Sequence, residues 1–194
     1  MQRFNLNTGE LEYDESDPEG FRAGMARFGA SIGATMLGGS LYELPPGQSN
    51  CPYHYEYGNE EWLFVLEGKL TVRHPGGEEE LDPGDVVCFP DGPEGAHRLT
   101  NRTDATVRVL MVSTMIEPSA AVYPDSDKIG IWPGAKQDTI MVRRESSVDY
   151  WDGETLMVDR QSPHGNYPTN HLAAMARAGI EPATPRFSAV CSTN

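Results

Sequence analysis

The stretch GQSNCPYHYEYGNEEWLFVLEG, residues 47–68, decides how the rest of the chain is interpreted. It begins and ends at glycine and places His54 and Glu56 two residues apart. Residues two apart on a β-strand point to the same side of the sheet, so these two side chains are expected to share a face. The apolar run at 61–66 predicts a second strand, with Glu61 at its start.

A second stretch, GDVVCFPDGPEGAHRLTN at residues 84–101, brings His97 after a short apolar run and a loop rich in proline and glycine. It begins inside the sequence Asp-Pro-Gly-Asp at 82–85, which is typical of a type II turn. Imidazoles and carboxylates that enter one cavity from separate strands can hold a divalent metal and leave coordination positions open. The candidate metal ligands are His54, Glu56, Glu61 and His97.

Short strand-like runs alternate with turns through the middle of the chain. The predicted strands lie at 34–44, 61–66, 70–74, 86–89 and 107–115, with weaker signals at 139–142 and 148–151. Helical periodicity is nearly absent, and 20 glycines with 15 prolines in 194 residues favour turns. Many short strands without helices between them predict an all-β protein, a closed antiparallel barrel or jelly roll.

The two glycine-bounded stretches resemble the two motifs of the cupin superfamily. The first motif consists of a glycine, a His-x-His pair, a glutamate and, after six intervening residues, another glycine. The second motif contains a His-x-x-x-Asn. The matching positions are Gly47, His54, Glu61 and Gly68, then Gly84, Pro90, Gly92, His97 and Asn101. The resemblance implies the cupin double-stranded β-helix, a jelly-roll barrel with amino- and carboxyl-terminal arms.

The resemblance also implies a ligand set for a divalent ion of Mn, Fe or Zn. His54, Glu61 and His97 stand where cupins place metal ligands, and Glu56 stands where the family usually has its second histidine. Glu61 is preferred to Glu60 because six residues then separate it from the closing glycine. The alternatives are hydrogen-bonded histidines in a barrel that has lost its metal and, for Glu56, a solvated carboxylate at a strand end.

The domain organisation follows from the extent of the motifs. We predict an amino-terminal arm at 1–30, the barrel at 31–117, a carboxyl-terminal arm on the barrel or a partner subunit at 118–160, and a disordered tail at 161–194. Residues 176–194 closely resemble a peptide that arises when a transfer-RNA gene is translated on the opposite strand. Our hypothesis is that this segment is a spurious read-through.

Charge and composition exclude several classes of partner. The chain has 29 acidic and 15 basic residues, a formal net charge of −14, which repels nucleic acid and anionic membranes. The amino terminus has no apolar signal-peptide region, and the three cysteines form no C-x-x-C pair. The sequence therefore predicts a cytoplasmic protein that binds neither nucleic acid nor membrane.

The predicted function is that of a metal-dependent enzyme of isomerase, dioxygenase or decarboxylase type, acting on a small polar molecule. The alternative is a non-catalytic module that binds or senses a small ligand. A homodimer is expected because cupins commonly pair. Arg73 and Arg98 are the nearest cations to the motifs, placed either to hold a substrate anion or on the surface. The segment YPDSDK at 123–128 resembles Y-P-D-S-G-K in small cupins, with Asp127 at the glycine position.

Overall fold

The computed structural model describes residues 1–155, which form twelve β-strands and short 3₁₀ turns. In chain order the strands are β1 (Gly24–Arg27), β2 (Leu37–Leu44), β3 (Tyr55–Tyr57), β4 (Glu61–Glu67), β5 (Leu70–His74), β6 (Gly77–Leu81), β7 (Val86–Phe89), β8 (Arg98–Thr100), β9 (Val107–Thr114), β10 (Ser119–Tyr123), β11 (Lys128–Trp132) and β12 (Ile140–Arg143). No helix in this part of the chain is long and apolar enough to cross a membrane. The predicted tail at 161–194, with the read-through hypothesis for 176–194, lies outside the described residues.

Residues 1–146 belong to one compact unit, in which all the strands lie in three antiparallel sheets. The first sheet has the order β1-β2-β9-β4-β7, the second β12-β11-β10-β3 and the third β6-β5-β8. The second and third sheets meet where His54 and His97 pair in an isolated antiparallel bridge. The prediction of an all-β barrel is confirmed. Residues 147–155, in a second unit, contain a turn at 150–153 and no strand, so the strand predicted at 148–151 is wrong.

The inner face of the first sheet forms the core and sets the direction of each side chain. Along β9, buried and half-buried residues alternate, because one face packs inside the barrel and the other does not. In β4 both faces are apolar in sequence, but Leu63 and Val65 are buried whereas Trp62 and Leu66 are exposed. Glu61 is on the same side as Leu63 and therefore points into the barrel.

Gly68 makes the tight reversal between β4 and β5. Its φ is +76°, and a Cβ there would lie 2.9 Å from the carbonyl oxygen of Thr106. A side chain at this position would therefore be strained and would also meet the backbone. The first-motif glycine thus fixes the turn that brings β5 back beside the barrel.

The two predicted arms contribute strands to these sheets. β1, inside the amino-terminal arm, pairs with β2, and the ring of Phe4 stacks on that of Phe28 with centroids 4.6 Å apart. Arg108 Nη2 donates to the carbonyl oxygen of Leu6 at 2.8 Å, which fixes the start of the chain to β9. In the carboxyl-terminal arm, β10 pairs with β3 and continues through β11 to β12.

Candidate metal centre

The backbone places the two motif histidines directly opposite each other. His54 precedes β3, and its N–H donates to the carbonyl oxygen of His97 at 3.1 Å. His97 precedes β8, and its N–H donates to the carbonyl oxygen of His54 at 2.8 Å. Both side chains are buried, with 0% and 1% exposure, and their ring centroids are 4.8 Å apart. Two strands distant in sequence therefore deliver two imidazoles to one interior point.

Each imidazole is oriented through its Nδ1 atom. His54 Nδ1 lies 3.1 Å from the carbonyl oxygen of Pro52, and His97 Nδ1 lies 2.9 Å from that of Gly95. Because a carbonyl oxygen only accepts, these bonds place the proton on Nδ1 and leave the Nε2 lone pair free. Neither Nε2 atom has a hydrogen-bond partner among the described residues. This is the tautomer that coordination of a metal ion through Nε2 requires.

Glu61 completes a group of three potential ligands. Its Oε2 lies 3.9 Å from His54 Nε2 and 3.4 Å from His97 Nε2. The three residues offer ligand atoms that all lie within 4.8 Å of one another. Ligand atoms that share an ion at about 2.1 Å are separated by about 3 to 4 Å, so the cluster fits a divalent metal after a small adjustment. Glu60 is exposed and accepts a hydrogen bond from Trp62 Nε1 at 2.8 Å, outside the cluster.

Burial determines the electrostatics of this group. It lowers the pKa of His54 to about 4 and that of His97 well below the usual range, with a further contribution from the neighbouring His54. Burial and the nearby charge of Glu56 raise the pKa of Glu61 well above its usual value. The site therefore favours neutral histidines. A bound cation would provide the positive charge that stabilises Glu61 in its ionised form.

Glu56 lies beside the cluster but is not one of its three members. It is in the middle of β3, opposite Ala121 of β10, with 7% exposure. Its Oε1 atom has no hydrogen-bond partner in the described chain, and burial raises its pKa to about 7, while a hydrogen bond with Asn59 acts in the opposite direction. A role for Glu56 as a fourth ligand stays a prediction.

Aromatic rings enclose the two imidazoles. Phe89, the last residue of β7, stacks on His97 with ring centroids 3.8 Å apart and planes at 11°. Tyr123, the last residue of β10, lies against His54 with centroids 5.8 Å apart. From the sequence, Tyr123 is expected only as part of the YPDSDK segment, and Phe89 only as part of the strand at 86–89. The aromatic residue before the second-motif proline was the signal that could have indicated Phe89.

Hydroxyl groups line the inner face of β2 close to this site. Ser40 is fully buried, and its Oγ has no hydrogen-bond partner within residues 1–155. Tyr42 is also buried; burial raises its pKa to about 12, and the charges of Glu61 and Glu56 act in the same direction. Those carboxylates also raise the pKa of Tyr123, after burial as the main cause. Tyr42 and Tyr123 come from two different sheets, and the charges of Glu56 and Glu61 therefore act on both hydroxyl groups.

The two arginines singled out from the sequence lie on the outer face. Arg73 pairs with Asp125, and Arg98 is its direct neighbour in the β5–β8 register. Leu99 and His97 on either side of Arg98 are buried, so alternation along the strand turns Arg98 outward. Neither arginine is therefore placed to hold a substrate inside the barrel.

The comparisons with known proteins agree with this architecture. Residues 40–113 match the family model described as "Cupin domain". The chain carries a cupin domain. This match includes all four candidate ligands, and the cupin neighbours confirm the predicted double-stranded β-helix fold.

Two curated proteins resemble part of the chain. The tetracenomycin polyketide synthase protein TcmJ of Streptomyces glaucescens is 32% identical over 46% of this chain and 58% of its own length. Quercetin 2,3-dioxygenase of Bacillus subtilis is 31% identical over 47% of this chain and 26% of its own length. The chain thus matches less than two thirds of either relative.

Among solved structures, a cupin-superfamily sugar phosphate isomerase from Silicibacter pomeroyi aligns with a TM-score of 0.66 and 27% identity. The alignment covers 77% of this chain and 98% of that protein. The polyketide cyclase RemF from Streptomyces resistomycificus aligns with a TM-score of 0.51 and 24% identity, over 61% of this chain and 83% of its own, and shows the shared fold.

Proposed function

We propose that the protein is a metal-dependent enzyme acting on a small polar molecule. His54, Glu61 and His97 hold the ion, and Glu56 is the candidate for a fourth ligand. The observation that carries this proposal is the pair of buried imidazoles whose unpartnered Nε2 atoms meet one carboxylate. Buried polar atoms without partners are rare in folded proteins, and a bound cation would satisfy all of them.

The donor set supports Mn, Fe or Zn as the metal. Two imidazoles and one carboxylate are a set that suits Fe(II) with open positions, and added carboxylate oxygen favours harder ions. When bound, such an ion would polarise a substrate oxygen. Phe89 and Tyr123 pack against the imidazoles and exclude water from that side, while the hydroxyl groups of Ser40 and Tyr42 are polar atoms available on the wall formed by β2.

Of the three reaction types expected from the sequence, we favour isomerisation of a phosphorylated sugar. The support is the extent of the similarity to the sugar phosphate isomerase from Silicibacter pomeroyi, which includes nearly the whole of that protein. The similarity to quercetin 2,3-dioxygenase covers about a quarter of that enzyme. Oxygenase and decarboxylase activities are the competing reaction types.

Metal content is the first test. Protein purified without chelators is expected to contain about one divalent ion per chain, and the His54→Ala/His97→Ala double variant almost none. His74→Ala is the matched control, because that histidine is at a hairpin outside the cluster. Equal and near-zero metal in all three proteins would refute the proposed metal site.

Activity is the second test. Protein loaded separately with Mn(II), Fe(II) or Zn(II) is mixed with aldose and ketose phosphates, and interconversion is followed by NMR. Turnover that disappears in the double variant supports the isomerase. Stoichiometric metal with ligand binding but without turnover would instead support the non-catalytic sensing module.

The assembly and limits of the domain belong to the same proposal. We propose a cytoplasmic homodimer built on a barrel at 31–117, with arms at 1–30 and 118–160. Light scattering after size-exclusion chromatography tests the dimer. A truncation at residue 160 that keeps its thermal midpoint would support the boundary after the carboxyl-terminal arm.

A further inference from the structure

A three-residue contact on the outer face lies directly behind the metal site. Arg73 of β5 binds Asp125 through two parallel bonds, Nη1 to Oδ2 at 2.5 Å and Nη2 to Oδ1 at 2.9 Å. The guanidinium carbon of Arg73 lies 3.8 Å from the centroid of the Tyr53 ring. Tyr53, Arg73 and Asp125 are called the clamp below. None of the three is a candidate metal ligand.

The clamp contacts both chain segments that form one side of the site. Tyr53 is the neighbour of His54, and Asp125 is two residues beyond Tyr123. The rings of His54 and Tyr123 lie against each other inside the barrel, with planes at 22°. Arg73 comes from the third sheet, whereas Tyr123 ends a strand of the second. The Arg73 guanidinium therefore contacts, on the outer face, the two segments that carry His54 and Tyr123 on the inner face.

The clamp is suited to positioning rather than to holding the fold together. The Arg73 and Asp125 side chains are 33% and 46% exposed, and exposed ion pairs contribute little to stability. A two-bond fork between guanidinium and carboxylate nevertheless defines both distance and orientation. The hydrogen bond with Arg73 lowers the pKa of Asp125, so the pair stays charged near neutral pH.

The segment YPDSDK explains why these residues occur together. Asp127 has a φ of +49°, the left-handed conformation in which glycine is favoured, and pairs with Arg144 at 3.3 Å. Lys128 Nζ lies 5.1 Å from the Tyr123 ring centroid. The first, third, fifth and sixth residues of the segment thus supply a ring at the site, the clamp carboxylate, the chain reversal and a cation over the ring.

We propose that Arg73 is a positioning residue, which acts through Tyr53 and Asp125 to hold the His54 imidazole against Tyr123 and so directs His54 Nε2 toward the metal position. The metal-affinity part of this inference rests on the proposed function. The placement of the His54 ring does not, because the clamp and the ring stack are features of the chain itself.

The test compares Arg73→Gln and Arg73→Lys with the matched control Arg102→Gln. Arg102 also forms an exposed ion pair, with Glu78 of β6. The glutamine variants at 73 and 102 therefore each remove one positive charge and one ion pair. The metal-free proteins are labelled with ¹⁵N and ¹³C in histidine, and the imidazole resonances are recorded by NMR. Zn(II) and Mn(II) affinities are measured by titration calorimetry.

We expect Arg73→Gln to shift the His54 resonances more than those of His97 and to weaken metal binding about tenfold, as for other residues that orient a metal ligand. Arg73→Lys keeps the charge but lacks the fork, so its effect should be intermediate. Arg102→Gln should match the wild type in both measurements. Thermal midpoints should differ little among all four proteins.

Two results would overturn the inference: His54 resonances unchanged in Arg73→Gln, or equal effects in Arg73→Gln and Arg102→Gln. If the wild type binds no ion, the proposed function fails, but the His54 resonances still decide the role of Arg73. Asp125→Asn removes the negative charge of the same ion pair. It replaces Arg73→Gln in both measurements if Arg73→Gln does not fold.

Discussion

The barrel contains two kinds of buried polar side chain, and they differ in whether their hydrogen-bonding atoms have partners. Asn101 is fully buried, and its Nδ2 donates to the carbonyl oxygens of Leu44 and Ala105 at 2.8 and 2.7 Å. Its Oδ1 accepts from the N–H and hydroxyl of Thr103 at 2.9 and 2.8 Å. His97, from the same motif and equally buried, leaves Nε2 without a partner in the described chain.

The presence or absence of hydrogen-bond partners distinguishes residues that stabilise the barrel from residues with an atom available to bind a ligand. Leaving a buried polar atom unsatisfied costs about 1 to 3 kcal/mol, so a folded chain retains one mainly where it has another use. One cupin motif thus contains both kinds, four residues apart. Substitutions on the two sides of this comparison should have opposite effects on stability and on metal binding.

The largest loss of stability is expected at Asn101. Asn101→Ala removes four hydrogen bonds. The carbonyl oxygen of Leu44 loses its side-chain donor, whereas that of Ala105 keeps Thr103 Oγ1, so the free energy of unfolding should fall by about 3 kcal/mol. Urea denaturation measures this, and metal content per folded molecule should not change. Asn5→Ala, which breaks an exposed turn, is the control and should cost under about 1 kcal/mol. Similar losses of stability in Asn101→Ala and Asn5→Ala would contradict the structural role of Asn101.

Glu61→Gln should change stability in the opposite direction. Because the folded state raises the pKa of Glu61 above its usual 4.5, metal-free wild type loses stability as pH rises above that value. Glutamine does not titrate, so the metal-free variant should be more stable than wild type by about 2 kcal/mol at pH 8 and nearly equal at pH 4.5. Metal affinity should fall at the same time.

Urea denaturation in the presence of a chelator, at both pH values, tests this prediction. Glu60→Gln is the matched control, since Glu60 is exposed and a glutamine oxygen can still accept from Trp62. A stability difference that does not depend on pH would show that Glu61 ionises normally in the folded protein.

Glu56→His tests whether the unpartnered Oε1 of Glu56 contacts the ion. Replacing a carboxylate by an imidazole favours Zn(II) over Mn(II), so the variant should keep its metal and shift the Zn/Mn affinity ratio about tenfold. Competition binding followed by elemental analysis measures the ratio. An unchanged ratio would mean that Glu56 is not a ligand.

The smallest effect is expected for two buried serines. Ser40 Oγ has no partner in the described part of the chain, whereas Ser49 Oγ lies 2.8 Å from Thr100 Oγ1. Ser40→Ala should therefore leave the free energy of unfolding unchanged or raise it by up to about 1 kcal/mol, while Ser49→Ala should lower it by about 1 kcal/mol. Thermal denaturation of the pair measures the contrast. A loss of stability in Ser40→Ala would indicate that its hydroxyl supports the fold after all.

The sequence predicted the elements whose signals are local. The strands at 70–74 and 86–89 occur within the predicted limits, because turn residues flank each apolar run. β6 was missed because GEEEL shows no apolar alternation and is exposed over its first four residues. β10 and β11 were assigned to an arm, since nothing in their sequences indicates that β10 pairs with β3 and β11 with β10.

Only part of the candidate site could be predicted from the sequence. Motif spacing identified His54, His97 and Glu61, and the structure brings these three together. Strand parity could not distinguish Glu61 from Glu60, because the buried face of β4 depends on which sheet covers it. Arg73 and Asp125 are 52 residues apart, and only the assembled sheets bring them into contact.

The isolated bridge between His54 and His97 joins two of the three sheets. An ion bound by both imidazoles would therefore connect the same two sheets through side chains. Backbone pairing at this point and coordination of the side chains would then reinforce each other. Amide hydrogens of the two residues should exchange with solvent more slowly once the ion is present, and chelation should loosen the barrel there before it loosens the rest.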